Sequence, residues 1–149
     1  MKALNVAAHI INKCIDLDMP VSNLKLQKML YFLDMTYLVN TGKRLIDEDF
    51  EAWQYGPVIK DVYERFSSYA ATPIELKQDF SEDFPSKYAN EIQQKINNLA
   101  RIRTSYLVDI SHKEGTPWDI VYNNGMGNHR VIPNTTLYEY AKNIRGQKK

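Results

Sequence analysis

Apolar side chains recur at three- and four-residue steps through much of the chain, and this period constrains the fold more than any other feature. The spacing over residues 6–17 predicts an amphipathic first helix. Pro20 ends this helix, Ser22 is suited to cap a second one, and Gly42 is suited to end that one. Residues 88–102 show the same spacing and predict a long helix. The first two helices are joined by a short turn, so we expect them to pack antiparallel.

The helical period is interrupted over residues 44–55, where the side chains alternate in the manner of a β-strand. Gly56 predicts a sharp turn, and Pro57, with its fixed φ and no N–H, is predicted to open the next helix. Residues 131–132 predict another short strand. The sequence therefore predicts a mainly α fold of the α+β class. We expect a single compact helical domain over residues 1–149, with about six helices and a small β-hairpin or short sheet.

Local signals place the remaining elements. Thr116 is suited to an N-cap with Pro117 in the first helical turn, which predicts a brief helix. Asn134 is predicted to cap the last helix. Residues 71–87 combine acids, prolines and isolated phenylalanines, and predict an irregular surface connection.

Charge and hydropathy disfavour several classes of partner. Nineteen Lys and Arg oppose eighteen Asp and Glu, and a net charge of +1 is too small for a broad footprint on nucleic acid. No apolar stretch has the length of a membrane span, and the N-terminus lacks the apolar core of a signal peptide. We therefore expect a cytoplasmic protein with no membrane partner.

The residues that carry most enzyme chemistry are sparse. His9, His112 and His129 stand far apart beside a single cysteine, Cys14, so no metal site is predicted and no cofactor is implied. Cys14 falls on an apolar helix face, which favours a buried thiol over a nucleophile. His112 next to acidic residues has the pattern of a general base, but packing against Trp118 is the stronger interpretation.

Ten tyrosines and two tryptophans favour a binding function. Such side chains offer large rigid contact areas with a polar tip and are enriched at binding hot spots. Lys25 and Lys28 lie on one side of the second helix near aromatic residues. This pattern fits either a nucleic-acid surface or, more simply, a solvated helix face.

Three segments together resemble a known family. They are LKLQKMLY at residues 24–31, EAWQYGPV at residues 51–58 followed by Tyr63, and Ser111-His112 leading to Pro117-Trp118. They are similar to the Panacea domain of SocA-like and GepA-like proteins, which are associated with phages and mobile genetic elements. The resemblance runs in order along nearly the whole chain.

The resemblance implies an antitoxin of a toxin–antitoxin system and no enzyme activity. Family members neutralise unrelated toxins by direct protein contact, and small alarmone-synthetase-like enzymes are among those toxins. The implied partner is therefore a cognate protein toxin bound in a stoichiometric complex. SocA-like members also imply a second mode of action, in which the antitoxin is an adaptor that delivers its toxin to a ClpXP-type protease.

The residues themselves leave two different functions open. A DNA-binding autorepressor would use the helix between Ser22 and Gly42, although the near-neutral charge disfavours it. A small enzyme would use His112.

The segments that carry the resemblance divide into two expected roles. A structural role, fixing the turn and its supports, is expected for Glu51, Trp53, Gly56, Pro57, His112, Pro117 and Trp118. Contact with the partner is expected for residues with polar ends, which are Lys25, Lys28, Tyr55, Lys60 and Tyr63. Glu51 and the Trp53 indole are expected to fix the turn against the helix that carries Tyr63.

Overall fold

The computed structural model describes residues 1–147. Seven α-helices in this part of the chain are α1 Ala3–Asp16, α2 Asn23–Thr41, α3 Lys60–Arg65, α4 Ala89–Ala100, α5 Thr104–Ser111, α6 Pro117–Tyr122 and α7 Asn134–Gln147. Three short strands are β1 Glu51–Trp53, β2 Gly56–Val58 and β3 Arg130–Val131. The prediction of a mainly α fold with a small sheet is confirmed, with seven described helices where about six were expected. Over residues 1–147, no helix is both long and apolar enough to cross a bilayer.

The ends of the first two helices follow their local sequence signals. The Ser22 hydroxyl accepts a hydrogen bond from the amide of Lys25 at 3.3 Å and caps α2. Gly42 adopts a left-handed conformation with φ of 80°, and its amide donates to the carbonyl of Leu38. Both predicted caps are confirmed. Cys14 is buried on the inner face of α1, as predicted.

Helix α2 is the centre of the molecule. Helices α1, α3, α4, α5 and α7 and strand β2 all pack against it. Because neighbours surround it, α2 buries polar as well as apolar side chains. The buried polar residues of this helix are Asn23, Gln27, Lys28 and Asp34.

Asp34 explains why the chain after α2 is not a strand. Its carboxylate accepts the backbone amides of Leu45 and Ile46 at 2.8 and 3.0 Å and pairs with the Arg44 guanidinium at 2.7 Å. Burial raises the pKa of this carboxyl, and Arg44 and the two amides oppose that shift. Residues 44–50 therefore fold onto α2, and the expected strand forms only at β1.

The three strands form an antiparallel sheet in the order β2-β1-β3. Pro57 lies in β2 opposite Ala52, so its predicted place at the start of a helix is wrong, and α3 begins only at Lys60. The left-handed φ of Gly56, 116°, reverses the chain within the hairpin. The fixed φ of proline suits an extended edge strand, where a missing N–H is tolerated.

The remaining predictions have mixed outcomes. Thr116 caps α6 through the amide of Asp119, with Pro117 in the first turn, as predicted. Residues 71–87 are an irregular connection, as predicted, and the carboxamide of Asn12 holds the backbone of Gln78 with two hydrogen bonds. The predicted cap at Asn134 is wrong, because its side-chain oxygen accepts from Arg44 and the residue already belongs to α7.

Candidate functional site

The turn between β1 and β2 is built around a glycine that no other residue can replace without strain. Gly56 has a φ of 116°, which L-residues rarely adopt. A Cβ added there would lie 2.7 Å from Lys28 Nζ and 2.8 Å from Ser111 Oγ. The hairpin therefore rests directly on a buried amine and a buried hydroxyl.

Lys28 supports the hairpin from inside the core. Its side chain is fully buried, and Nζ donates a hydrogen bond of 2.8 Å to the carbonyl of Pro57. Burial lowers the pKa of Lys28 to about 7, because the charged form loses its hydration. Among the described residues, no acid lies within ion-pair distance of this amine. The Lys28 amine thus binds the backbone of β2, and burial disfavours its charged form.

Three stacked rings support the other side of the hairpin. The His112 imidazole lies on the Trp118 indole at 3.9 Å between ring centroids, and Trp118 stacks on Tyr122 at 4.5 Å. The Trp118 indole N–H donates to the carbonyl of Trp53 at 2.6 Å, which ties α6 to β1. The interpretation that His112 packs on Trp118 is therefore the one that the structure shows.

The His112 ring is electrostatically disfavoured as a cation. Burial lowers its pKa first and the Lys28 charge lowers it further, while the carbonyl of Tyr55 and the carboxylate of Asp109 oppose the shift. Its Nε2 atom is buried with no hydrogen-bond partner within residues 1–147. A neutral, stacked ring of this kind can fill the space beneath the turn.

A groove opens on the outer side of the hairpin, between β1, α3 and the start of α2. It has a volume of about 410 Å³, and its walls include Leu24, Trp53, Tyr55, Tyr63 and His129. Trp53 is its centre, stacked on His129 at 4.3 Å and meeting the Tyr63 ring edge-on at 4.8 Å. Tyr55 is 59% exposed at the rim, and Tyr63 is 38% exposed.

Hydrogen bonds hold the groove in shape. The Trp53 indole N–H donates to the Glu51 carboxylate at 3.1 Å, so both contacts expected of Trp53 and Glu51 at this turn are present. Asn23 donates to the carbonyl of Tyr63 at 3.0 Å and accepts from Gln27, whose own oxygen accepts the amide of Ile59. This chain of amides connects α2 to both ends of α3.

The groove has the features of a surface that receives a partner's side chains. Ligand and anchor pockets are concave, mostly apolar, and carry a few placed polar groups. The Trp53, Tyr63 and His129 rings hold one another in place, so little rotamer entropy is lost when these rings are contacted. Within residues 1–147, no cluster of His, Cys, Asp or Glu side chains has the arrangement of a metal site.

Residues 26–119 match the model of the Panacea domain of SocA-like antitoxins. This chain belongs to the SocA-like Panacea family. It is 36% identical over 129 residues to Antitoxin SocA of Caulobacter vibrioides (strain NA1000 / CB15N), a match that covers 79% of this chain and 69% of that protein. No solved structure matches the chain.

The five residues expected to contact a partner lie in different places. Tyr55 and Tyr63 line the groove of this Panacea domain, and Lys60 is exposed nearby on α3, 3.9 Å from Glu64. Lys25 is half-buried and donates to the carbonyl of Ala100 at 2.6 Å. The prediction for Lys28 is wrong. It was expected on a solvated face, but the packing of β2 and α5 against α2 encloses its amine.

The seven residues expected to be structural all lie in or beneath the hairpin. Gly56, Pro57, Pro117 and Trp118 are buried, and Glu51, Trp53 and His112 are half-buried. The structure brings them together around the β1–β2 turn, although their structural role remains a prediction.

Sequence reasoning missed Leu24 and His129 in the groove wall and Asn23 and Gln27 beneath it. His129 is far from Trp53 in sequence, and no local pattern links the two. The amides carried a weak signal, since Asn23 and Gln27 are four residues apart on a helix with apolar residues on every side.

Proposed function

We propose that this protein is an antitoxin that neutralises a cognate protein toxin by binding it in a stoichiometric complex, and that the groove is the contact surface. The observation that carries the proposal is the rigid aromatic groove around Trp53, with Tyr55 and Tyr63 at its rim. Membership of the SocA-like family and the name of the Caulobacter relative support the antitoxin role. A small alarmone-synthetase-like enzyme is the first toxin to test.

The size of the domain is sufficient for this role. The described chain has an accessible surface of 8380 Å². A standard protein interface takes roughly 800 Å² from each partner, so one face centred on the groove is enough. The aromatic wall at its centre and the charged residues of α3 at its edge follow the usual division into an apolar core and a polar rim.

The test is co-expression with the toxin candidate encoded next to this gene, scoring growth rescue and co-purification. Tyr55→Ala is expected to weaken the complex by about tenfold or more, as truncation of a hot-spot tyrosine does. The matched control is Tyr106→Ala, a tyrosine of similar exposure on α5 outside the groove. Equal loss in both variants, or in neither, contradicts the groove as the contact surface.

The same experiment separates binding from proteolytic delivery. Direct neutralisation predicts that rescue persists in cells lacking a ClpXP-type protease, with the complex intact. Rescue that disappears without the protease would instead assign the protein to the adaptor class.

A DNA-binding autorepressor and a small enzyme have weaker structural support than an antitoxin. A recognition helix needs an exposed face for the major groove, whereas α2 is enclosed by five helices and β2. A general base needs access to substrate, whereas His112 is stacked on Trp118 with Nε2 buried. His112→Ala is therefore expected to lower stability without removing a catalytic step.

A further inference from the structure

The two outer strands of the sheet differ in what covers them. Strand β2 is buried along its length against α2 and α5. Strand β3 is the opposite edge of the sheet, and both Arg130 and Val131 are exposed. An open edge strand offers unpaired backbone groups to another chain.

The backbone of Val131 faces away from the sheet. The amide of Ile132 donates to the carbonyl of Phe50 at 2.7 Å, while Val131 is paired opposite Glu51. Backbone groups alternate sides along an antiparallel strand, so the N–H and C=O of Val131 point to the side opposite β1. They form one rung of a ladder that a further strand can complete.

A tightly wound turn precedes this edge. Asn123, Asn124, Gly125 and His129 all have positive φ values, of 47°, 57°, 97° and 68°. Gly127 is pressed against α6, since a Cβ added there would lie 1.8 Å from the carbonyl oxygen of Val121. Glycine and asparagine tolerate positive φ, whereas a histidine there costs energy and persists only where its surroundings enforce it.

This turn and α6 form an open cavity beside the edge, with both polar and apolar groups in its lining. The cavity has a volume of about 400 Å³ and is lined by Ile120, Met126 and Val131, whose side chains are 58%, 79% and 47% exposed. Large apolar side chains from three separate elements thus converge at one place. The charged residue in the described lining is Arg130, so the cavity complements a negative group.

We propose that β3 binds an extended segment of a partner protein as a fourth strand, with one apolar side chain in this cavity and a carboxylate beside Arg130. The open rung at Val131 selects an extended backbone, the cavity selects the apolar side chain, and Arg130 selects the acid. No described residue lines both this cavity and the groove. The edge is therefore a second docking surface, and it stands without the proposed function.

The test uses short random linear peptides displayed on phage and selected against the full chain. Enriched sequences are expected to place an apolar residue close to Asp or Glu, and the corresponding synthetic peptides are titrated by calorimetry. Methylation of the peptide nitrogen that meets the Val131 carbonyl is expected to reduce affinity at least about tenfold, because that ladder hydrogen bond is lost.

A charge swap gives the decisive control. Arg130→Glu is expected to lower the affinity for the acidic peptides by about tenfold. The same variant is expected to bind more tightly to a peptide in which Lys replaces the acid. Tyr55→Ala, in the groove, is expected to leave peptide binding unchanged. Unaltered thermal melting checks that the exposed-site variant is folded.

Three results would overturn the proposal. The first is that the wild-type chain enriches no peptides beyond those enriched by the double variant Arg130→Glu, Val131→Asp. The second is that peptide binding is weakened by Tyr55→Ala but not by Arg130→Glu. The third is that the chain self-associates and Val131→Asp abolishes the self-association. The last result would place a second copy of this chain on the edge.

Discussion

The two edges of the small sheet have opposite surroundings. Strand β2 lies on Lys28 and Ser111, and every one of its residues is buried. Strand β3 has both residues exposed and an open backbone rung. The segment EAWQYGPV at residues 51–58 ends in the covered edge, and its Trp53 and Tyr55 also line the groove.

The largest expected effect is at the covered edge, where Gly56→Ala combines backbone strain with overpacking. Each term is worth about 1–3 kcal/mol, so the free energy of unfolding should fall by roughly 3 kcal/mol or more. The Lys28 amine can move away only by giving up its hydrogen bond to Pro57. Denaturant unfolding measures the loss.

Gly115→Ala is the matched control for that change. Gly115 also has a positive φ, 82°, but nothing lies within 4 Å of an added Cβ. It should lose only the strain, about 1 kcal/mol. Equal losses at the two glycines would mean that the contact with Lys28 and Ser111 carries no energy.

A pair of valines compares the two edges directly. Val58→Ala removes buried methyl groups from β2 and should cost about 2 kcal/mol of unfolding free energy. Val131→Ala removes the same groups from exposed β3 and should cost less than about 0.5 kcal/mol. If Val131 proves as costly as Val58 in the isolated chain, β3 is not an open edge in solution.

Lys28→Met isolates the cost of the buried amine through its pH dependence. The pKa of Lys28 is about 7 in the fold against an ordinary 10.5. Between these values the unfolded chain holds a proton that the folded chain has released, so native stability rises with pH. Relative to the variant, the wild type should gain up to about 1.4 kcal/mol per pH unit from pH 7 upward, and the difference should be flat below pH 7.

An exposed lysine provides the control for this measurement. Lys142→Met on α7 should leave the slope unchanged. A wild-type curve parallel to that of Lys28→Met over the same range would show that the amine keeps its proton in the fold.

The parts of the fold that follow from local chemistry could be predicted. Ser22, Gly42 and Thr116 act within a few residues of their own positions, so their capping roles are readable from the sequence. Pro57 was misplaced because proline fits both a helix start and an edge strand, and the choice between them depends on the partner strand β1.

The candidate site was predictable only in part for a similar reason. Tyr55 and Tyr63 were expected to contact a partner, and both line the groove, although that contact remains a prediction. Lys28 was expected at the surface because two lysines on a helix are usually solvated. Its burial depends on β2 and α5, which arrive from distant parts of the sequence. His129 joins the groove through the same kind of long-range packing.

The central position of α2 has a consequence for how such a protein can change over generations. Five helices and β2 pack against this one helix. Neither Tyr55 at the groove rim nor Val131 beside the cavity belongs to the hydrophobic core of the protein. Substitutions at exposed positions of these surfaces, such as Tyr55 and Val131, are therefore expected to carry little folding penalty. A lineage with this architecture can drift toward a new partner through a few outer positions while the inherited scaffold stays intact.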